Sequence, residues 1–243
     1  KTLILAFKKN NTKTVASQER FIHAFYTSYA NVMVDTYYVA SKFVANVIRD
    51  SKYNDVEHLV PVGQYRSDYL LLYKKTIVPE EICRAKKKNK KIIIALGWHC
   101  ADTWYESSGS IDVNWTNQKF FIEDIIRLSK ELKETFIVLR YKNLEWMKES
   151  FFNDVVNKIK KSDNVIISEN YENLHSYKLC AHADLVIAKH TSLADECLSH
   201  KIPVFLHEYT HNMPKIVSGP FDWGKSYIVC NNYDQILNRS KIF

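Results

Sequence analysis

Four short segments of the sequence place basic, hydroxyl or acidic residues directly after an apolar stretch. They are Leu96-Gly97-Trp98-His99-Cys100, Arg140-Tyr141-Lys142, Ser168-Glu169-Asn170-Tyr171 and Ala188-Lys189-His190-Thr191-Ser192. Glycine lets a backbone approach a phosphate closely. Cationic side chains attract anions, and hydroxyl residues cap helices whose free N–H groups attract them too. These residue types therefore predict a site for a phosphorylated ligand.

We assign ligand binding to residues in these segments and to one acidic residue in the helix predicted after the last of them. The full set is Gly97, Trp98, His99, Arg140, Lys142, Glu169, His190, Thr191, Ser192 and Glu196. Most of them would contact phosphates or an anionic sugar, whereas the segment containing Glu169 would meet a base edge and Glu196 would hold ribose hydroxyls. Structural alternatives stay open: a tight turn at Gly97, helix capping at Thr191 and Ser192, and solvated charge elsewhere.

Other classes of enzyme are not expected from this sequence. The Gly-x-Gly-x-x-Gly pattern is absent, which disfavours a dinucleotide-dependent dehydrogenase. We also expect no P-loop enzyme, no hydrolase triad, no metal centre and no cofactor. The phosphorylated ligand would then be a substrate.

The composition is that of a soluble globular protein with a basic surface. The 243 residues are 46% hydrophobic and 25% charged, and 34 Lys and Arg against 27 Asp and Glu give a net charge of +7. Such a surface favours nucleotide phosphates, acidic lipid headgroups or anionic glycans. The run Lys86-Lys87-Lys88-Asn89-Lys90-Lys91 is interpreted as a solvated linker or, alternatively, as a membrane or polyanion contact. Nucleic acid is not an expected partner, because no RNA-binding or zinc-finger spacing is present.

The cysteines and the chain ends bear on localisation. The five cysteines are odd in number and never spaced as Cys-x-x-Cys, which favours reduced thiols in a cytoplasmic protein. We find no secretory signal and no apolar run near the roughly 18 residues of a membrane span. The chain starts with Lys1 rather than Met, which we interpret as a fragment of a longer protein.

From Lys91 onward, apolar stretches alternate with helical patterns. We predict strands over 91–96, 136–139, 165–167, 184–188, 202–206 and 227–229, and helices over 118–132, 146–159, 174–182, 192–200 and 233–239. This alternation predicts βαβ units and a parallel, Rossmann-like sheet. Ligands bind such sheets beyond the carboxyl ends of the strands, where the four segments lie.

The first block is shorter and less regular. We predict strands over 2–7, 14–16, 37–40 and 56–62, and helices over 21–29 and 42–50, the latter capped by Ser41. The block is too short for a complete domain. We therefore assign residues 1–75 to the end of a first α/β domain, 76–90 to a charged linker and 91–243 to the Rossmann-like domain.

The second half resembles the C-terminal domain of GT-B glycosyltransferases of bacterial surface-polysaccharide synthesis. The resemblance rests on residues 183–197 (ADLVIAKHTSLADEC) and 201–205 (KIPVF), which are similar to the family's strand beginning with Asp, Thr/Ser turn, helix with Glu, and strand opening with Pro. In the family the turn binds donor phosphates and the helix Glu often holds the ribose. By position these roles would fall on Thr191, Ser192 and Glu196.

A second match, residues 60–68 (VPVGQYRSD), resembles the Gly-x-x-x-x-Asp stretch that commonly closes the first GT-B domain. The chain departs from the family in lacking the His-Pro pair that several capsule-related transferases carry after a middle strand. Arg140-Tyr141-Lys142 stand near that place instead. Most of the first domain, which usually supplies the acceptor site and often the catalytic base, is missing or reduced. Glu19 is the one acidic residue of the remnant that we nominate as catalytic.

The resemblance implies metal-independent transfer of a sugar from a nucleotide-sugar to a glycan or lipid-linked acceptor at the inner membrane face, in capsule or lipopolysaccharide synthesis. Two enzymatic alternatives share the fold: a sugar epimerase and a polyol-phosphate transferase. A third alternative is a non-catalytic module that binds nucleotide or glycan.

Overall fold

The computed structural model describes residues 2–18, 31–51, 54–76, 78–88, 90–97, 114–189, 191–210, 213–214 and 226–243. The chain divides into two compact units, with the division between Asp68 and Tyr69.

The first unit contains a three-stranded parallel sheet. Its elements are α1 (Thr2–Lys9), β1 (Val15–Ser17), β2 (Met33–Val39), α2 (Lys42–Asp50) and β3 (Asp55–Pro61), and the strand order is β1-β2-β3. The predicted cap of α2 is confirmed, because the Ser41 hydroxyl accepts a hydrogen bond from the Val44 N–H at 3.2 Å. Val44, Ala45 and Ile48 of α2 pack against Val39 of β2.

The strand predicted over residues 2–7 is wrong, because these residues form the helix α1. Leu, Ala and Lys are strong helix formers, and a short apolar run does not distinguish a strand from a helix. No residue of α1 is buried, so no core contact forces the extended state. The helix predicted over 21–29 lies outside the described residues.

The second unit is built on a six-stranded parallel sheet. In chain order its elements are α3 (Asp68–Lys74), α4 (Glu80–Lys87), β4 (Lys91–Leu96), α5 (Trp115–Glu131), β5 (Thr135–Arg140), α6 (Asn153–Lys160), β6 (Val165–Ile167), α7 (His175–Cys180), β7 (Leu185–Ala188), α8 (Leu193–Ser199), β8 (Val204–His207), β9 (Tyr209–Thr210), β10 (Met213–Pro214), β11 (Val229–Cys230) and α9 (Tyr233–Ser240).

The strand order of this sheet is β11-β8-β7-β4-β5-β6. It is the doubly wound order of dinucleotide-binding folds, in which the chain runs outward from a central strand first to one side and then to the other. The reversal takes place between β4 and β7. Doubly wound folds bind ligands at this switch point, outside the carboxyl ends of the strands.

The apolar run of β4 explains why the sheet is covered on both faces. Ile93 and Ala95 belong to one core cluster, and Ile92 and Ile94 belong to the cluster on the opposite face. Successive side chains of a strand point to opposite faces, so a continuous apolar run needs helices on both.

Two predictions in this unit require correction. Most of the predicted linker 76–90 is the helix α4, because Ile82 and Ala85 are fully buried against the sheet while the lysines face solvent. The helix predicted over 146–159 begins only at Asn153. Before it, two 3₁₀ turns bring Trp146 against Phe152, with ring centroids 5.2 Å apart, and helical periodicity in the sequence does not reveal this aromatic contact.

Candidate functional site

The switch point lies between the residues that follow β4 and β7. Leu96 pairs with Ala188 on one side and with Arg140 on the other. The N–H of Lys189 donates to the Leu96 carbonyl at 2.9 Å, and the N–H of Gly97 donates to the Arg140 carbonyl at 3.1 Å. Three of the four segments singled out in the sequence therefore meet at one point of the sheet edge.

Gly97 makes a close approach to an aromatic ring. A β-carbon added at Gly97 would overlap the side chain of Tyr141, which is buried in the core. The position therefore excludes larger residues through packing inside the protein. A role of Gly97 toward a phosphate stays a prediction.

The turn before α8 is capped by Thr191. Its hydroxyl accepts a hydrogen bond from the Leu193 N–H at 3.3 Å, whereas the Ser192 side chain makes no capping hydrogen bond. Both residues are partly exposed. The helix α8 has only seven residues, so it would add little dipole of its own to an anion site.

Glu196 is buried rather than solvated. It is 2% exposed, and its Oε2 accepts a hydrogen bond from the Tyr177 hydroxyl at 2.7 Å. Cys180 and Cys197 lie in the same core cluster as Tyr177. Burial raises the pKa of the Cys180 thiol well above its ordinary value, and the contact with Cys197 adds to this shift. The thiol is therefore inert at neutral pH.

The Arg140 side chain supports the loop after β6. Its Nη1 donates to the Asn170 carbonyl at 2.7 Å and its Nε donates to the Ser176 hydroxyl at 3.0 Å. Burial lowers the pKa of Arg140 from its ordinary value, and the charge of Glu81 opposes the shift. Lys142 and Glu169 are both exposed near the carboxyl ends of β5 and β6.

A cleft of about 790 Å³ runs beside β6 and includes Glu169 and Asn170 in its lining. Its polar centre is Glu81, whose Oε1 accepts from the Ser168 hydroxyl at 2.7 Å and lies 3.1 Å from His175 Nε2. Burial raises the pKa of Glu81, but the hydrogen bonds from His175 and Ser168 outweigh it and bring the value to about 2. A carboxylate this acidic stays ionised and acts as an acceptor.

A second polar centre is buried beneath the switch point. The Lys189 Nζ lies 3.4 Å from His207 Nδ1 and 3.2 Å from the Tyr209 carbonyl. His207 Nε2 lies 2.9 Å from Asp124 Oδ2, which also accepts from the Tyr209 hydroxyl at 2.7 Å. These four residues are at most 8% exposed, and we call them the buried network.

The chemistry of its members fixes the tautomer of His207. An ammonium only donates and a carboxylate only accepts, so the ring between them accepts at Nδ1 and donates from Nε2. Burial, with the charge of Lys189 adding to it, lowers the pKa of His207 to about 4, although Asp124 opposes the shift. The neutral imidazole therefore links the carboxylate of Asp124 to the ammonium of Lys189.

The sequence indicates one member of this network. Asp124 lies among Phe121, Ile125 and Leu128, the residues whose spacing predicts the apolar face of α5. A carboxylate on an apolar face needs a buried partner. Lys189 and His207 each stand at the end of an apolar stretch, but nothing in the sequence pairs either one with Asp124.

Two segments match the spacing of motifs that we did not expect, but the described residues in or directly after them do not form the helix that each motif requires. The residues His207-Glu208-Tyr209-Thr210-His211 match a zinc-binding pattern that must lie on one helix, whereas here His207 ends β8 and β9 follows it. Residues 219–226 match the P-loop pattern, which must lead into a helix, whereas the next element is the strand β11. Four predicted site residues lie outside the described residues: Glu19, Trp98, His99 and His190.

No known protein-family profile and no curated protein sequence matches this chain. Solved structures do match it. The UDP-GlcNAc 2-epimerase of Methanocaldococcus jannaschii in complex with UDP-GlcNAc and UDP aligns with a TM-score of 0.60 at 14% identity, over 98% of this chain and 64% of that one. MnaA of S. aureus, with UDP, gives 0.62 at 13% identity, over 98% and 62%. The wall teichoic acid polymerase TagF, with CDPG, gives 0.53 at 15% identity, over 86% and 47%.

At this identity the likeness concerns the fold, and it confirms the predicted α/β architecture of the GT-B type with Rossmann-like parallel sheets. The chain spans between 47% and 64% of the length of these three proteins. In the described part of the chain, no helix combines the length and apolarity needed to cross a bilayer.

Proposed function

We propose that the second unit binds the nucleotide-sugar donor of a glycosyltransferase at the carboxyl edge of its six-stranded sheet. The observation that carries the proposal is the strand order, which creates a switch point between β4 and β7. Gly97, Lys189 and Thr191 follow these two strands. Similar structures hold UDP-GlcNAc, UDP and CDPG, which supports a nucleotide-linked ligand for this fold.

The layout suits an extended ligand. We place the diphosphate at the switch point and the base toward the cleft that includes Glu169 and Asn170 in its lining. Two strand spacings separate β4 from β6, which is about 10 Å. A volume of about 790 Å³ lies within the range of small-molecule sites. Arg140, at the end of β5 between the two regions, would hold the loop that meets the base.

The reaction would be transfer of the sugar to a glycan or lipid-linked acceptor. Positive groups preorganised near the departing diphosphate would stabilise its developing charge without a metal ion. Lys189 is our candidate for the cation, and Thr191, Ser192 and the N–H groups beside them would donate hydrogen bonds. Residues 1–75 would belong to the acceptor-side domain, with Glu19 as the nominated base. We retain a role in capsule or lipopolysaccharide synthesis as part of this proposal.

A sugar epimerase is the second candidate. The UDP-GlcNAc 2-epimerase of Methanocaldococcus jannaschii aligns with a higher TM-score, 0.60, than the polymerase TagF at 0.53. Product analysis separates the two activities, because an epimerase converts the nucleotide-sugar without an acceptor. A transferase leaves the free nucleotide, and a polyol-phosphate transferase does so only from a CDP-linked donor.

The test of donor binding is a thermal-shift panel with UDP, CDP, CMP, GDP and ADP. A nucleotide at a hundred times its dissociation constant stabilises the folded state by about 2.7 kcal/mol, a shift on the order of 5–10 °C for a chain of this size. Ser192→Ala should reduce the shift. The matched control is Ser199→Ala at the other end of α8, which should leave it unchanged.

The outcomes distinguish the candidates. A shift with one nucleotide that Ser192→Ala weakens and Ser199→Ala keeps would support the donor site and identify the base. If both variants keep the full thermal shift, the nucleotide binds at a place other than the start of α8. If none of the nucleotides shifts the wild type, the donor site is refuted for this chain, and a glycan-binding module becomes the better hypothesis.

A further inference from the structure

The amino-terminal edge of the six-stranded sheet carries a concentration of lysines. The connections that lead into β4, β5 and β6, and the helix ends before them, supply most of these residues. The exposed ones, which we call the lysine edge, are Lys86, Lys87, Lys88, Lys91, Lys130, Lys133, Lys160 and Lys161. They lie at the end of the sheet opposite the switch point.

Hydrogen bonds tie the three connections into one surface. The Lys88 Nζ donates to the Asp163 carbonyl and the Lys90 Nζ donates to the Lys133 carbonyl, each at 2.8 Å. The Lys91 Nζ donates to the Phe243 carbonyl. The lysine charges therefore lie side by side on neighbouring connections of one sheet edge.

Ion pairs among the described residues do not neutralise these lysines, although Glu134 and Asp163 on the same connections reduce the net charge of the edge. Within the described ranges, no residue of the lysine edge has a carboxylate within ion-pair distance. Several lysines elsewhere are paired, among them Lys8 with Asp55 at 2.8 Å and Lys119 with Asp154 at 2.7 Å. Helix dipoles favour a cation at the carboxyl ends of α4, α5 and α6, where Lys88 and Lys161 are capping residues, but three helix ends do not account for eight lysines.

The lysine charges also act on a neighbouring histidine. His182 lies in the connection into β7, on the same edge. Burial lowers its pKa, and the charges of Lys86 and Lys74 lower it further. Like charges that lie side by side repel each other, and an anionic partner that covers them relieves this repulsion.

The residue types favour a lipid surface over a soluble polyanion. The unpaired cations are all lysines, which act as point charges, whereas specific phosphate recognition favours the bidentate fork of arginine.

We propose that the lysine edge docks the second unit on an anionic lipid bilayer. Clusters of four to eight lysines bind such surfaces, each contributing a factor of about five in affinity. Docking through this edge directs the opposite edge of the sheet, with the switch point, away from the bilayer.

Flotation with lipid vesicles tests the proposal. The chain should float with phosphatidylcholine vesicles that contain phosphatidylglycerol and not with pure phosphatidylcholine. Raising the salt from about 0.1 M to about 1 M should release it, because the screening length falls from about 10 Å to about 3 Å. The variant Lys87→Gln/Lys133→Gln/Lys160→Gln should lose about 100-fold in partitioning.

The matched control is Lys9→Gln/Lys13→Gln/Lys42→Gln, which removes the same charge from exposed lysines of the first unit. It should partition within a few-fold of the wild type, and the unfolding midpoints of both triple variants should show that they fold. Equal losses in the two variants would overturn the proposal, because net charge alone would then decide binding. So would absence of wild-type binding to anionic vesicles, including the case in which the chain binds soluble polyphosphate instead.

Discussion

The Nε2 of His207 lies 2.9 Å from Oδ2 of Asp124, although 83 residues separate them in the chain. The contact joins the end of β8 to the middle of α5 and continues through the ring to Lys189. The fully buried imidazole thereby connects the Asp124 carboxylate to the Lys189 ammonium, although the two charged groups do not touch each other. The buried network places this cation directly behind the candidate donor site.

Removing the carboxylate should destabilise the protein strongly. Asp124→Asn removes the carboxylate that faces His207 and Tyr209 and, through the ring, Lys189, and disrupting a buried charged network in this way costs about 3–5 kcal/mol. Asp154→Asn is the control, because Asp154 pairs with Lys119 and Lys158 at the surface and its loss should cost at most about 1 kcal/mol. Urea unfolding of both variants measures the difference. Equal losses would mean that the stability of the buried network does not depend on the charge of Asp124.

The stability should fall in acid because of His207. Its pKa is lowered from 6.5 in the unfolded chain to about 4 in the folded one, so below about pH 6.5 the unfolded state binds the proton first. The stabilisation is fully present above about pH 6.5 and is lost as the pH falls toward 4, by about 3 kcal/mol. Unfolding free energies of wild type and His207→Gln, measured across this range, isolate the contribution. Parallel curves would exclude His207 as the titrating group.

Replacing Gly97 should disturb the core before any ligand is added. Gly97→Ala drives a methyl group into the ring of Tyr141 and should cost about 1–3 kcal/mol. The double variant Gly97→Ala/Tyr141→Leu should cost less than the sum of the single ones, because the overlap is removed. Gly63→Ala is the control: its φ of 87° imposes backbone strain of about 1 kcal/mol, but no atom stands near it. A stable Gly97→Ala that fails to bind nucleotide would instead assign Gly97 to the ligand.

The hydroxyl of Tyr177 should matter more than that of an exposed tyrosine. Tyr177→Phe leaves the buried carboxylate of Glu196 without this donor and should cost about 1.5–3 kcal/mol. Tyr171→Phe, at a position 63% exposed, should cost less than about 0.5 kcal/mol. Thermal and urea unfolding report both values. If Tyr177→Phe is neutral, Glu196 draws its stabilisation from other contacts.

Glu196→Gln should separate a structural role from ribose binding. The amide oxygen still accepts from Tyr177, so we expect only a small change in the unfolding midpoint without ligand. A reduced nucleotide-induced shift would then assign the carboxylate to the ligand. An unchanged shift with a lowered midpoint would make Glu196 a structural residue.

The sequence by itself determined most of the second sheet. The strands over 91–96 and 165–167 begin and end as predicted, because continuous apolar runs are buried on both faces of a parallel sheet. It also determined the helix α2, where Ser41 caps a strongly amphipathic segment. These elements follow from local pattern and burial, which the sequence carries directly.

Tertiary structure decided the rest. The helix α4 forms because Ile82 and Ala85 find a sheet face to cover, although lysines dominate its composition. The buried network depends on His207 meeting both Asp124 and Lys189, residues from separate parts of the chain that only the strand order brings together. Desolvation and pairing between distant residues set protonation and burial, and no spacing along the chain encodes a distance in space.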